Sequence, residues 1–174
     1  MADPPDGIVL RRHRELQGPA RRIWPRRALI GLLVVLSVLG LANVFGQRPQ
    51  TIDATAPAAT LKVYAPARVR SGLLYEARFT IRANDDLKSA ALLLSPGWGE
   101  GQSMNTIEPS PVSEASRNGD FLFKLGHISK GHIFRFFMQF QVNPTNVGRR
   151  SQNVALYDGN TRILAVHRRF TVFP

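Results

Sequence analysis

The chain contains no cysteine. No disulfide can staple it, no thiol can act as a nucleophile, and zinc sites built on thiolates are excluded. N-glycosylation sequons are missing too, because the one Asn-x-Thr spacing, Asn143-Pro144-Thr145, is blocked by its proline. That absence favours a bacterial exported domain over a eukaryotic secreted one. Internal repeats and low-complexity tracts are also lacking, which excludes solenoids and arrays. Acidic residues are scarce, 12 against 23 Lys and Arg, for a net charge of +11. A chain this basic meets nucleic acid, anionic lipid or an anionic polymer. Long apolar runs are scarce as well, since there is one.

That run is Ala28 to Gly46, without a charge. At about 1.5 Å per residue a helix of this length reaches roughly 28 Å, close to a hydrocarbon core. It has no polar stripe, which a helix lying on a soluble core needs. Asn43, near the far end, is its one strongly polar side chain. Seven arginines precede the run, among them Arg21, Arg22, Arg26 and Arg27, against Asp3, Asp6 and Glu15, and only Arg48 closely follows it. Basic flanks stay cytoplasmic. The reading is a single-pass protein of the cell membrane with its N-terminus inside and its C-terminal domain outside. Trp24 is expected as an interface anchor and Pro25 as the stop that keeps the helix out of the tail. The competing reading is a signal peptide cleaved after Ala42, where Gly40-Leu41-Ala42 has small residues at suitable offsets. The run exceeds the 7–15 residues typical of such segments.

Domain organisation follows. Residues 1–27 are expected as a disordered basic cytoplasmic tail, 28–46 as a transmembrane helix, 47–59 as a proline-containing linker, and 60–174 as the folded domain. Within the domain the apolar period is two. Tyr75, Ala77, Phe79, Ile81 and Ala83 alternate with polar residues, as Phe134, Phe136, Met138, Phe140 and Val142 do with Arg135, Phe137, Gln139 and Gln141. Leu61 with Val63, and Phe121 with Phe123 and Leu125, mark further strands, and Ala90, Leu92 and Leu94 a central one. Asp158-Gly159 predicts a hairpin between 153–157 and 162–166. Leu164 to Val172 reads as one last strand with a bulge near Arg168-Arg169. Residues 95–118 read as a long irregular stretch. About seven short strands of this kind predict an all-β fold, an antiparallel sandwich of immunoglobulin type.

Leu125-Gly126-His127-Ile128-Ser129-Lys130-Gly131, then an alternating strand, then Asn143-Pro144-Thr145-Asn146-Val147-Gly148, resembles the later half of bacterial immunoglobulin-like domains of the surface and adhesion-repeat kind. Lys130 stands where those domains usually have proline, and Ile128 where they have leucine. The resemblance covers about 60 residues and implies the fold; fold alone implies no activity.

No residue set carries chemistry. His127 and His132 flank one turn, and His167 is the other candidate ligand in the domain. Turn and surface histidines are the simpler reading, as turn residues are for Asp85-Asp86. Ser95-Pro96-Gly97-Trp98-Gly99 lacks the order of a nucleophile elbow. Gly97, Gly99 and Gly101 make no dinucleotide fingerprint. No cofactor, metal site or catalytic residue is expected. From Gln47 onward the chain holds 16 Lys and Arg against 9 Asp and Glu, spread along its length, with Arg168 and Arg169 among them. Trp98 on its glycine-rich loop, with Leu122, Phe137 and Arg135, is the candidate partner-binding set. The sequence therefore reads as a non-catalytic, membrane-anchored binding or accessory module of the bacterial envelope. Its expected partners are an integral membrane or envelope protein and anionic lipid or polymer, with nucleic acid disfavoured. The alternative is an envelope enzyme with a site around residues 95–118, drawing on Glu100, Glu108 or Glu114.

Overall fold

The structure is a computed structural model that describes residues 23–44 and 46–174. Residues 1–22, with Arg21, Arg22 and most of the expected tail, lie outside the described residues. The chain divides into two compact units, Met1–Phe45 and Gly46–Pro174.

Among the described residues the first unit holds one helix, α1, Ile23–Leu41, with no buried residue, long and apolar enough to cross a membrane. It takes in Trp24, Pro25, Arg26 and Arg27, all exposed, which were expected outside it. Proline does not stop a helix in its first turn, because the missing N–H would lack an intrahelical partner there anyway. At the other end Asn43 adopts φ 52°. Its N–H donates to Gly40 O at 3.0 Å, and that of Val44 to Leu39 O at 3.1 Å. This pair of bonds closes a helix whose capping residue is left-handed, a position asparagine tolerates. The polar break in the apolar run is thus the helix cap.

The second unit has thirteen strands: β1 Pro49–Thr55, β2 Ala59–Pro66, β3 Arg68–Arg70, β4 Leu74–Ala83, β5 Leu87–Leu94, β6 Gln102–Glu108, β7 Ser113–Arg117, β8 Asp120–Ile128, β9 Ile133–Val142, β10 Gly148–Ser151, β11 Val154–Asp158, β12 Thr161–Val166 and β13 Arg169–Phe173. They form a five-stranded sheet β1-β2-β4-β9-β6, a second one β12-β11-β5-β8-β7, and a small sheet β10-β13-β3. All pairs are antiparallel except β13 with β3. The all-β immunoglobulin-like sandwich is present, with β5 central in its sheet as its uniform apolar run requires. The alternating residues of β4 and β9 face inward, and the rings of Phe136 on β9 and Phe123 on β8 meet at 5.7 Å across the two sheets.

Three expectations change. Residues 47–59 hold β1, paired with β2 over seven residues, so most of the expected linker is an edge strand. Its outer side is polar and its inner side is Ile52 and Ala54, too weak an alternation to read against prolines. Residues 95–118 are a 3₁₀ turn at Pro96–Trp98 followed by β6 and β7, edge strands of opposite sheets. Edge strands need little apolar patterning, so they read as loop. The last strand is two, β12 and β13, in different sheets, and the chain changes sheet at His167-Arg168.

That crossing buries Arg168 to 5 % exposure, unlike the exposed Arg169 beside it. Its Nη2 donates to Pro66 O at 2.6 Å and Ala65 O at 3.3 Å, where β2 gives way to β3. Its guanidinium lies 5.2 Å from the ring of Trp98, which packs on Phe79 and Phe140 with centroids 5.3 and 5.5 Å away. Trp98 Nε1 donates to Asn153 O at 3.1 Å. A Cβ on Gly97 would stand 2.2 Å from Ser151 O, so only glycine lets the turn press Trp98 this far in. Beside it Tyr75 Oη donates to Gln102 Oε1 at 2.9 Å and accepts from Gln152 Nε2 at 3.1 Å. Burial, partly offset by these amides, pushes the Tyr75 hydroxyl up to about 12. Burial pulls Arg168 down to about 10, so it is still charged at neutral pH.

Trp98→Ala is expected to cost about 3–5 kcal/mol, read from far-UV circular dichroism melts of the full chain in detergent. Tyr75→Phe is expected to cost about 1–3 kcal/mol at pH 8, since it strands a buried amide. A hydroxyl whose folded pKa exceeds its unfolded 10.0 lends stability that is full below pH 10 and fades toward 12. The gap between the two chains is therefore expected to narrow above pH 10. Arg168 contributes the opposite slope in both chains, and because its charge interacts with Tyr75 that slope cancels only in part.

Candidate interaction face

The strand alternation that buries Val63, Phe79 and Phe136 turns their neighbours outward, and the register aligns those neighbours across the first sheet. One row runs Thr51, Tyr64, Arg78, Phe137, Glu108 through β1, β2, β4, β9 and β6. Arg78 lies 5.5 Å from the Tyr64 ring centroid and 5.1 Å from that of Phe137, between the two. Its Nη2 is 3.1 Å from Glu76 Oε1. Each of these exposed contacts is worth only about 0.2–1 kcal/mol. Together they hold a long side chain in one place on an open surface.

Concavities flank this cluster. One of about 570 Å³ is lined by Glu76, Thr106, Glu108, Pro109, Phe137, Met138 and Gln139. The other, about 340 Å³, is lined by Gln47, Pro49, Tyr64, Pro66, Glu76 and Arg78. Arg135 falls in the next row, opposite Thr80, which pairs with Lys62 and through it Asp53. Arg82 opposite Ile133 follows.

Of the four residues of the expected partner-binding set, Phe137 and Arg135 share this face. Leu122 does not. It points out of the other sheet, in the row Ala165, Ala155, Leu93, Leu122, Ala115, on the opposite side of the sandwich. Trp98 is fully buried and touches no solvent, because the glycines around it admit it to the core rather than present it on a loop. The residues missing from the expected set are Tyr64, Glu76 and Arg78. Tyr64 follows Leu61 and Val63 at the outward parity, so its direction was readable, but its row partners were not.

The remaining candidates are separate. Glu100 follows the Pro96–Trp98 turn, with Oε2 4.0 Å from Arg150 Nε, while Glu108 and Glu114 sit on edge strands of opposite sheets. Ser95 Oγ donates to Ser151 O at 3.1 Å and accepts from Asn153 N at 2.9 Å, a clamp between strands. His127 Nε2 is 2.8 Å from Asp86 Oδ1, and Lys130 Nζ 3.1 Å from Asp85 Oδ1, all exposed. His132 and His167 are exposed. Among the described residues no group of three or more His, Asp or Glu is placed to hold a metal ion. The groups with shifted pKa values described above, Tyr75 and Arg168, belong to the core network and face no cleft.

No protein-family model and no curated protein matches the chain. Among solved structures it is similar to the chitin-binding domain of a hyperthermophilic chitinase from Pyrococcus furiosus, at 13 % identity over 63 % of this chain and 96 % of that one, TM-score 0.40. A CARDB domain from the same organism, solved with di-metal ions, is 14 % identical over 71 % and 95 %, TM-score 0.40. A FixG-related protein from Vibrio parahaemolyticus is 11 % identical over 67 % and 98 %, TM-score 0.38. At these scores the likeness is one of small β-sandwich domains and carries no functional argument.

Proposed function

We propose that this chain is a membrane-anchored, non-catalytic binding or accessory module of the bacterial cell envelope, which docks a membrane or envelope protein through the outer face of its first sheet. The observation that carries this reading is Arg78 held between Tyr64 and Phe137 and paired with Glu76, beside an open concavity. Aromatic residues and arginine dominate the energetics of protein interfaces. A side chain ordered before binding loses less entropy on association. The flanking cations Lys62, Arg82 and Arg135 add a positive margin that suits an acidic rim on the partner. In this reading α1 spans the membrane with its arginine flank in the cytoplasm and the sandwich outside, in the manner of bacterial surface domains.

Two experiments test it. A photo-cross-linker at Gln139, in whole cells, is expected to trap a discrete membrane or envelope protein. Phe137→Ala and Arg78→Ala are each expected to reduce that adduct at least fivefold while the melting temperature stays within a few degrees. The same probe at Lys124, on the opposite face, is expected to give no such band. Equal adducts from both faces, or a band indifferent to both variants, would overturn the docking face. For the anchor, the full chain is expected to stay in the membrane pellet after alkaline carbonate washing and to keep its first 42 residues by intact mass. A soluble species beginning at Asn43 would instead assign the apolar run to a cleaved signal.

A further inference from the structure

The end where the chain enters the domain stands out. Gln47 Nε2 donates to Leu74 O at 2.9 Å, and Ala67 N donates to Arg48 O at 3.4 Å. Leu41, the last residue of α1, is six residues before Gln47. At full extension that covalent distance is roughly 20 Å.

Four exposed apolar side chains crown this end. Leu73, in the turn before β4, and Leu74, its first residue, are 44 and 49 % exposed; Val147 and Phe173 are 51 and 39 % exposed. They come together through the backbone. Ser71 N donates to Phe173 O at 2.7 Å, Gly72 N to Val142 O at 3.1 Å, and Gly148, next to Val147, pairs with Val172. Directly behind them the small sheet carries Arg149, Thr171 and Arg68 in one row, with Arg70 opposite Phe173 and Arg169 opposite Ser151. Arg68, Arg70, Arg149 and Arg169 are exposed, and β3, β10 and β13 contain no carboxylate. Among the described residues none of these four pairs with an Asp or Glu side chain, and Arg70 Nε donates to Pro174 O at 3.4 Å. The carboxylates at this end belong to other elements: Glu76 is 3.1 Å from Arg78, Glu100 is 4.0 Å from Arg150, and Asp120 opens β8.

Apolar tips backed by arginines without a carboxylate partner, at the end where the chain enters the domain, match one chemistry. We infer that this end is a foot that rests on anionic lipid, with Leu73, Leu74, Val147 and Phe173 entering the headgroup layer and Arg68, Arg70 and Arg149 meeting phosphates. The inference rests on α1 being a retained membrane span. Arginine pairs with phosphate through its fork of donors, and amphipathic surfaces gain from apolar burial together with anionic charge. Resting on this end leaves the Arg78 face lateral, open to a neighbouring membrane protein.

The absence of cysteine makes the test clean. The full chain, carrying Val147→Cys labelled with bimane, is placed in nanodiscs of phosphatidylcholine alone or with 30 % phosphatidylglycerol. A nitroxide at the lipid headgroup is the quencher. Quenching is expected to be at least threefold stronger with the anionic lipid, to fall when salt is raised to 0.5 M, and to be lost in Arg68→Gln/Arg70→Gln/Arg149→Gln. Lys130→Cys, at the far end, is expected to show no lipid dependence. Leu73→Ser, a milder change, is expected to weaken the effect, and circular dichroism checks that each variant folds. Quenching independent of lipid charge and of the arginines would overturn the foot, as would polyphosphate occupying the arginines in phosphatidylcholine discs more tightly than the anionic lipid does. Failure of the chain to enter discs would overturn the anchor beneath it, and an intact Gln139 cross-link would separate loss of the foot from loss of the docking face.

Discussion

The guanidinium of Arg168, laid on the ring of Trp98 and bonded to the carbonyls of Ala65 and Pro66, is the contact on which the sandwich depends. Three departures from regular strand pairing converge on it. The chain leaves β2 for β3 at Pro66, leaves β12 for β13 at Arg168, and turns out of β5 at Pro96–Trp98. Each leaves backbone groups without ladder partners, and a buried carbonyl without a donor costs on the order of 1–3 kcal/mol. Arg168 donates to the carbonyls of the first crossing, stands at the second, and lies over the tryptophan of the third. Lysine cannot replace it, because stacking on an indole while donating to adjacent carbonyls needs a flat, multi-donor group. The charge carries a desolvation cost, visible in the direction Arg168 is shifted, and the aromatic cluster around it offsets part of that cost.

Because this contact closes the small sheet against the end of the sandwich, it also sets what the surface shows. With Arg168 and Phe170 turned inward, their neighbours Arg169 and Thr171 face out, and the parallel pairing brings β3 alongside with Arg68 and Arg70. Arg68, Arg70, Arg149 and Arg169 are thereby gathered at the end where the chain enters the domain. The first sheet, whose register the same core holds, keeps its mixed row of Tyr64, Arg78 and Phe137 to the side. Charge at one end and an ordered arginine–aromatic cluster on one flank are separate surfaces of one core.

Much of this was legible. β4 and β9 alternate so regularly that both inner and outer residues could be named, because a two-residue period admits one assignment once one face is buried. The Asp158-Gly159 hairpin and the central position of β5 were readable for similarly local reasons. What was not legible fails in one direction. β1, β6 and β7 are edge strands whose outer sides are polar and whose inner sides are small or few, so pairing rather than patterning makes them strands. Trp98, bracketed by glycines, reads as exposed, although those glycines serve to bring it into the core. Leu122 and Phe137 look equivalent in sequence, since each breaks its strand's alternation; they point away from each other because their strands belong to opposed sheets.

By itself the sequence determined the apolar helix with its arginine flank, the all-β class and the facing of every strongly alternating residue. These depend on near neighbours: charge beside an apolar run, and a period of two along a chain. The tertiary structure decided which strands pair, and so which outward residues meet. Arg78 meets Tyr64 and Phe137 only because residues far apart in the chain share a register, and Arg168 is buried only because two sheet crossings close over it. Pairing across such separations is set by the packing of the whole core, which no local window contains.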